Sequence, residues 1–164
     1  MEIIQKTYTD IPVDRLVKHL NLDADLVDTL HLEAILQSAI DWVETRSNSF
    51  IVTTQVKELI YEFTGKRIVI DYKGVNTIDS LKVNDILVTN YRVEKGYTRT
   101  VIIFNESVNV ESDIEIIYTA GINPAYNYIQ AAIITANDLY DVDRSNYSAG
   151  LNNNRTVMKL LNLE

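Results

Sequence analysis

The sequence contains no cysteine and little glycine or proline, and these shortages exclude several classes of protein. Without cysteine there can be no disulfide scaffold, no thiolate zinc site and no cysteine nucleophile. The five glycines are scattered, so no phosphate-binding loop of the P-loop or dinucleotide type is present. No apolar run approaches a membrane span, and residues 1–10 do not resemble a signal peptide. We therefore expect an intracellular protein that does not associate with membranes.

Length and net charge limit the number of domains and the kinds of partner. The chain has 164 residues, of which 46% are hydrophobic, which is enough for one domain with a genuine core. Its formal net charge of -8 argues against wrapping DNA through phosphate contacts. Such a charge suits a surface past which DNA must slide without sticking.

Residues Ile11 to Arg46 have a helical pattern of apolar side chains. Pro12 suits a first turn, where its missing N–H costs nothing. A break at residues 21–23 precedes a longer helix, for which Asp23 is the expected N-cap. The expected apolar stripe of this long helix is Leu26, Leu30, Ile35, Ala39 and Val43, widened by Leu32, Leu36 and Ile40. The acidic residues opposite the stripe are Asp25, Asp28, Glu33, Asp41 and Glu44.

Between Ser49 and Ala120 the apolar pattern changes to the two-residue alternation of β-strands. After a first run at 50–63, the alternating runs are Arg67–Tyr72, Ile78–Val83, Ile86–Val93, Thr98–Phe104 and Asp113–Tyr118. Turn-forming pairs at 64–65, 73–74, 84–85, 95–96 and 105–106 separate them. The clearest hairpin runs from Tyr91 to Phe104. We expect a small, mostly antiparallel cluster of short strands.

The C-terminal part combines a third helix with a tail. The helix is expected from Pro124 to Asp141, with an apolar stripe of Ile129, Ala132, Ile133, Ala136 and Tyr140. The segment from Asp141 to Thr156 is polar and typical of a linker. The apolar tail that follows contains Val157, Met158, Leu160, Leu161 and Leu163. Because these side chains are too apolar to stay in water, we expect the tail to dock on another chain. The sequence is thus interpreted as an α+β domain at 1–144 and a linker with a docking tail at 145–164.

The residues that could carry chemistry form no convincing site. His19 and His31 lie on different helices without a carboxylate at ligand spacing, which favours ordinary surface or half-buried histidines. No serine lies in a G-x-S-x-G elbow, and no acid–base pair stands out among the carboxylates. We expect no catalytic residues, no cofactor and no bound metal.

One short stretch resembles the beginning of a calcium-binding loop. Asp141, Asp143 and Ser145 have the spacing of its first ligands. However, Asn146 stands where the turn needs a glycine, and Asn152 stands where a bidentate glutamate should close the cage. A solvated helix end is the better interpretation of this stretch.

Four stretches of the chain resemble the head–tail connector, or adaptor, proteins of long-tailed bacteriophages. Those proteins often begin with a K-x-x-L segment, an acidic step and a long helix that ends in A-x-x-x-V/I-E. The matching stretch is Val13–Leu20 followed by Asp25–Glu44, which ends in Ala39-Ile-Asp-Trp-Val-Glu44. The second stretch is Tyr91-Arg-Val93, ahead of the hairpin.

The third and fourth stretches lie near the C-terminus. The family pattern is a Y-x-A-G strand end, a proline, an I/L-x-x-A-I helix and a closing Y-x-x-R. Its counterparts are Ile117-Tyr-Thr-Ala-Gly121, Pro124, Ile129-Gln-Ala-Ala-Ile133 and Tyr140 with Arg144, which comes one residue later than in the pattern. The tail Val157-Met-Lys-Leu-Leu161 resembles the family's LL terminus. The chain departs from the family at Ile68–Thr77, where an L-P-x-x-P motif would be expected.

This resemblance implies a structural role without catalysis. Such proteins form a ring, usually a dodecamer, that docks under the portal protein and extends the DNA channel. The ring also receives neck, stopper or tail-completion proteins, while phage DNA passes through its lumen without specific binding. The subunit would be assembled in the host cytoplasm and would lie in the neck of the virion.

The resemblance also assigns surfaces to residues. The long helices pack side by side around the ring, which implies inter-subunit contacts at Leu26, Leu30, Ile35 and Val43. The tail residues at 157–163 reach the portal or a neighbouring subunit. Because a channel must release DNA, we expect acidic residues to line the lumen. The first candidates are Asp25, Asp28, Glu33, Asp41 and Glu44, and the rivals are Glu111, Asp113 and Glu115. Alternatively, these acids face solvent outside the ring.

Other functions are compatible with the same sequence. The nearest alternative is another neck or tail-completion ring protein. A non-virion regulatory binding protein from a mobile element is a second, and a small hydrolase or carbohydrate-binding domain built on the strands is a third.

Overall fold

The computed structural model describes residues 1–23, 25–96, 99–121, 126–145 and 154–161, with side chains to residue 141 in the third helix. The chain divides into two compact units. The sheet unit consists of Met1–Thr7 and Asn48–Asn123, and the helical unit consists of Tyr8–Ser47 and Pro124–Glu164. Helices and antiparallel strands thus form separate units, and the expected α+β class is confirmed.

The described residues of the sheet unit form six strands: β1 (Glu2–Lys6), β2 (Thr54–Ile70), β3 (Val75–Val83), β4 (Ile86–Leu87), β5 (Tyr91–Lys95) and β6 (Thr100–Ala120). They are arranged in the order β1-β2-β6-β3-β4, with β5 also paired to β6. Every pairing between these strands is antiparallel. The predicted hairpin is confirmed, since Tyr91 pairs with Phe104 and Lys95 with Thr100.

Strands β2 and β6 are much longer than predicted, because each runs through an expected turn. Ile60 of β2 pairs with Ile114 of β6, and Arg67 pairs with Ile103. The stretch of β6 between these two pairs is longer than the stretch of β2, so β6 carries its extra residues as bulges. Glu62 and Gly65 in this region have φ values of 54° and 129°. Bulges of this kind bend a strand without ending it. The pairs at 64–65 and 105–106 therefore mark a bend in the sheet and not two turns.

The bend lets both halves of the sheet contribute to one core. Inward-facing residues from the two halves form a single buried cluster: Phe50, Val56, Ile68, Ile70, Val75, Leu81, Ile102, Phe104, Ile114, Ile116, Tyr118 and Ala120. The outer faces of the two halves consequently point away from each other. Gly121, with φ of 155°, ends β6 at a position where a Cβ would lie 3.2 Å from the carbonyl oxygen of Val52.

Two further strand predictions need correction. The expected strand Ile86–Val93 is divided between β4 and β5. Strand β1 was not predicted, and it is formed by pairing with β2 far along the chain. The turn at 84–85 is confirmed, with positive φ at Asn84 and Asp85, as a tight turn between β3 and β4 requires.

In the helical unit, the part of the chain that the structure describes forms a 3-10 turn (Tyr8–Asp10) and four helices: α1 (Asp14–His19), α2 (Thr29–Ser47), α3 (Tyr126–Ser145) and α4 (Arg155–Leu160). Helix α2 begins later than predicted. The Asp28 carboxylate accepts a hydrogen bond from the His31 N–H at 3.2 Å, whereas Asp23 accepts one from the Asp25 N–H and closes a turn. The expected N-cap at Asp23 is therefore wrong.

The later start of α2 changes its buried stripe. The side chains with almost no exposure are Leu32, Leu36, Ala39, Ile40 and Val43. Leu26 precedes the helix and is 84% exposed, and Leu30 is 78% exposed. The residues expected to widen the stripe thus form its centre.

Helix α3 presents small side chains to the interior of the helical unit. Ala131, Ala132, Ile133 and Ala136 are buried, while Ile129 and Tyr140 are half-buried. Small residues let neighbouring backbones approach closely, and α3 packs against α1, α2 and α4. Most of the predicted stripe is confirmed; Pro124, the expected start, lies outside the described residues.

The described part of the C-terminal tail is a helix attached to its own chain. The Asn154 side chain caps α4 by accepting hydrogen bonds from the N–H groups of Thr156 and Val157, and it donates one to Asp138 on α3. Val157 and Leu161 are 1% and 2% exposed. These two side chains are covered within the chain, so the expectation that they dock elsewhere needs correction. Met158 and Leu160 are half-buried, and Leu163 and linker residues 146–153 lie outside the described residues.

Replacing Leu161 by alanine should destabilise the protein by about 2–5 kcal/mol, because it removes a fully buried side chain. Leu87→Ala makes the same chemical change at a site that is 61% exposed and should stay within about 0.5 kcal/mol of wild type. Urea unfolding of both variants measures the difference. Equal stabilities would mean that the tail contributes nothing to the core of its own chain.

Candidate assembly surfaces

The residues expected at inter-subunit contacts lie in different environments. Leu26 and Leu30 are exposed and are available to a partner. Ile35 is half-buried. Val43 is fully buried in its own chain, which corrects its assignment to an inter-subunit contact. The described surface of this helix therefore offers apolar contacts at its N-terminal end.

The acidic residues expected in the channel are also divided. Asp25, Asp28, Glu33 and Asp41 are exposed, whereas Glu44 is 6% exposed and is removed from the candidates. Two of the exposed acids have local structural roles: Asp28 caps α2, and Asp41 accepts a hydrogen bond from the Tyr8 hydroxyl at 2.9 Å. Glu33 borders a groove of about 270 Å³ whose other lining residues include Tyr8 and Leu36.

Among the rival acids, Glu115 is held by two lysines. Its carboxylate lies 2.5 Å from Lys57 Nζ and 2.7 Å from Lys82 Nζ, so a single side chain on β6 links β2 and β3. The hydrogen bonds from Lys57 and then Lys82 lower the pKa of Glu115 to about 2. A carboxylate neutralised in this way is a poor source of repulsion for DNA. Glu111 and Asp113 remain exposed.

A second polar cluster joins the same three strands nearer their other end. The Asp79 carboxylate accepts hydrogen bonds from the hydroxyls of Thr77 and Thr119, both at 2.7 Å, and from the Gln55 amide at 3.0 Å. Burial would raise the pKa of Asp79, but these hydrogen bonds, led by that from Thr119, lower it. The outer face of this half of the sheet is therefore held by polar contacts.

Elsewhere in the sheet unit, burial raises the pKa of Glu58 and also that of Tyr118 beside it. Tyr118 belongs to the core cluster and Glu58 is half-buried, and neither borders the cavities near Tyr8, Asp14 or Leu59.

The part of the chain that the structure describes contains no group of histidine and acidic side chains arranged to hold a metal ion. His19 and His31 are both exposed. Of the calcium-like stretch, the side chains of Asp143 and Ser145 and all of Asn146 and Asn152 lie outside the described residues. In the same described ranges, no helix is both long and apolar enough to cross a membrane.

The sheet unit exposes apolar side chains that the sequence analysis did not single out. Tyr61 and Val110 are 67% and 73% exposed beside the bend, and Ile86 and Leu87 are exposed after the β3–β4 turn. The only available signal was the sequence Asn84-Asp85-Ile86-Leu87, in which apolar residues follow a tight turn directly. Exposed apolar groups that lie together on a folded surface often mark contacts with other proteins.

Comparison with known structures gives the class of the fold. The chain resembles a chain of the neck of an empty gene transfer agent (GTA) particle, computed with C6 symmetry, with a TM-score of 0.77 at 20% identity over 99% of this chain and 94% of that one. A chain of the virion of a native GTA particle gives a TM-score of 0.78 at 20% identity, covering 98% and 92%. A chain of the native GTA neck, computed with C12 symmetry, gives 0.70 at 19% identity, covering 99% and 93%.

These likenesses span nearly the whole of both chains, so the protein has the fold of chains found in GTA particles and their necks. The resemblance to head–tail connector proteins seen in the sequence is thereby confirmed at the level of fold. No family model matches the chain, and no curated protein matches its sequence.

The two ion pairs of Glu115 predict how the stability of the protein depends on pH. Because the pKa of Glu115 falls from an ordinary 4.5 to about 2 on folding, its stabilising contribution is present above pH 4.5 and is lost as pH falls towards 2. Glu115→Gln should therefore flatten the fall in stability between pH 4.5 and 2. Denaturant unfolding at several pH values measures this. As a control, Glu111→Gln removes a carboxylate from the same strand and leaves both ion pairs intact; an equal flattening there would refute the assignment.

Proposed function

We propose that this protein is a structural subunit of the neck of a tailed-phage-like particle, where it forms a ring between head and tail. The observation that carries the proposal is the agreement of the whole chain with neck chains at a TM-score of 0.77. The likeness includes both the sheet unit and the helical unit, since it covers 99% of the chain. A shared fold of this extent is a stronger guide than a single shared motif.

Within the neck, the subunit lies below the portal protein, extends the DNA channel and receives neck, stopper or tail-completion proteins. Support comes from the net charge of -8, which disfavours adhesion to DNA, and from the exposed acids Asp25, Glu33 and Asp28 on the helical unit. The role is structural and not catalytic. A place at a neighbouring level of the neck, as a tail-completion ring, is the second candidate, because the same fold likeness supports it.

Ring formation is supported by the symmetry of the similar structures and by exposed leucines. The necks to which the chain is similar were computed with C6 and C12 symmetry, and cyclic symmetry requires subunits to contact each other through two different patches. Leu26 and Leu30 supply an apolar patch that the chain itself leaves uncovered. Burying each leucine would contribute about 1.5–3 kcal/mol to an interface.

The purified protein should form concentration-dependent oligomers, visible as rings by negative-stain microscopy and as defined masses by native mass spectrometry. Leu26→Ser with Leu30→Ser should shift this equilibrium towards monomer without lowering monomer stability, because both side chains are exposed. Ser38→Ala on the same helix is the control. A protein that stays monomeric at every concentration, and is absent from the necks of purified particles, would overturn the proposed function.

The channel role predicts weak contact with DNA. The protein should not shift duplex DNA in a gel even at low salt, where electrostatic attraction is strongest. A protein of similar size with a DNA-binding patch serves as the positive control. Tight low-salt binding would instead support a regulatory nucleic-acid-binding protein.

A further inference from the structure

The charges of the sheet unit are unevenly distributed between its two halves. Residues 66–70 and 91–103, which form the half made of the end of β2, the start of β6 and β5, contain five basic residues and one acid. They are Lys66, Arg67, Arg92, Lys95 and Arg99, against Glu94. In a chain with 15 basic residues and a net charge of -8, this is a marked local concentration.

In this half of the sheet, the strand register places arginines on either side of apolar residues. Arg67 and Arg92 pair with Ile103 from opposite sides, so the two guanidinium groups flank one buried isoleucine. In the same face, Val69 pairs with Val101 and is 43% exposed. We call the outer surface around Arg67, Arg92 and Val69 the basic face; Arg92 pairs there with Glu94 at 2.8 Å, so two arginines face one glutamate and the face stays net positive. Lys95 follows Glu94 on β5 and therefore lies on the opposite face, where it donates a hydrogen bond to the carbonyl oxygen of Asn76. The basic face combines positive charge with an apolar centre, which suits a protein surface better than a phosphate backbone.

A complementary surface lies on the other half of the sheet, at the tip of the β3–β4 turn. A notch of about 310 Å³ is lined by apolar and acidic side chains, among them Leu59, Tyr61, Asp85 and Asp113. Glu115 also borders the notch, but Lys57 and Lys82 neutralise it. Asp85 attracts Lys57 electrostatically, and the Asp113 carboxylate accepts a hydrogen bond from the Glu62 N–H. Neither forms an ion pair within the described residues, and together with Glu115 they outnumber the two lysines, so the notch stays net acidic.

The notch and the basic face belong to opposite halves of the sheet. Because the inner faces of these halves meet in one core, their outer surfaces point in different directions. A subunit of a cyclic ring needs such an arrangement, since it contacts its two neighbours through two different patches. The opposite charges would also select one register over others.

We propose that the acidic notch of one copy docks the basic face of the next copy, with Tyr61 and Leu59 covering Val69 and the arginines facing Asp85 and Asp113. This inference rests on the proposed ring, for which it names an interface. Like charges would meet if two notches or two basic faces were joined, so only head-to-tail contact satisfies both surfaces.

Mixing charge-reversed variants tests this interface. Arg67→Glu with Arg92→Glu makes both surfaces acidic, and Asp85→Lys with Asp113→Lys makes both basic. Each variant alone should need a concentration about tenfold or more higher than wild type to assemble. A one-to-one mixture should recover assembly, because an acidic surface then always meets a basic one. Arg15→Glu with Lys18→Glu, on the helical unit, applies the same charge change as the arginine reversal and should have little effect.

A chemical cross-link provides a second measurement that does not depend on reversing charge. Because the chain has no cysteine, Tyr61→Cys and Val69→Cys create unique reactive sites in the notch and the basic face. A short bis-maleimide should link the two variants to each other in preference to linking either variant to itself. A tag on one variant separates the products by mass.

The outcomes separate this inference from the proposed function. Rings that form normally from both charge-reversed variants, or cross-links only between identical sites, would overturn the interface while leaving the ring intact. If the wild type instead bound DNA at low salt, and the arginine variant lost this binding with its rings unchanged, the basic face would be a nucleic-acid site. That result would also refute the proposed interface. Absence of any wild-type oligomer would count against the ring itself.

Discussion

The continuous pairing of β2 with β6 is the constraint on which the sheet unit depends. A long antiparallel pair would normally extend beyond any small core, but the bulges between Ile60 and Arg67 bend it while keeping most ladder bonds. The bend brings Ile68 and Ile102 into the same cluster as Ile114 and Ile116. Burial of this shared face is therefore what holds the bend in place, and β1, β3 and β5 are added to strands that the bend has already positioned.

The same bend explains why apolar side chains are exposed on the surface of the sheet unit. Residues at a bulge leave the regular ladder, so side chains such as Tyr61 and Val110 are not covered by a neighbouring strand. On the flat part of the sheet, by contrast, outward-facing positions are held by polar links such as Glu115 with its lysines. The most exposed apolar groups of the sheet unit, Tyr61, Ile86 and Val110, thus lie at the tip and the bend, whereas Leu59 and Val69 on the regular ladder are 45% and 43% exposed.

The spacing of apolar residues predicted the elements that depend on neighbouring residues in the sequence. It did not predict features that depend on contacts between distant parts of the chain. The stripe of Ala132, Ile133 and Ala136 and the hairpin at Tyr91–Phe104 follow from side-chain spacing and turn residues within a short window. Whether Gly65 makes a turn or a bulge depends on which strand lies alongside, which spacing does not reveal. Likewise, the docking of Leu161 on a partner is the wrong expectation because no local signal shows that its own chain buries it. The buried stripe of α2 was predicted correctly at Ala39 and Val43 and wrongly at Leu26 and Leu30. The helix begins after its cap Asp28, so its first turns lie outside the buried face.

The interleaved order of the two units affects how the chain folds during synthesis. The sheet unit cannot close until β6 has left the ribosome, because β2, β3 and β5 all pair with β6. The helical unit must wait longer still, until α3 and then α4 emerge. Contacts between residues so far apart in sequence form slowly. Nascent chains therefore hold β2 without β6 until β6 itself has been made, and a product that ends before β6 would be an aggregation-prone fragment instead of a smaller folded domain.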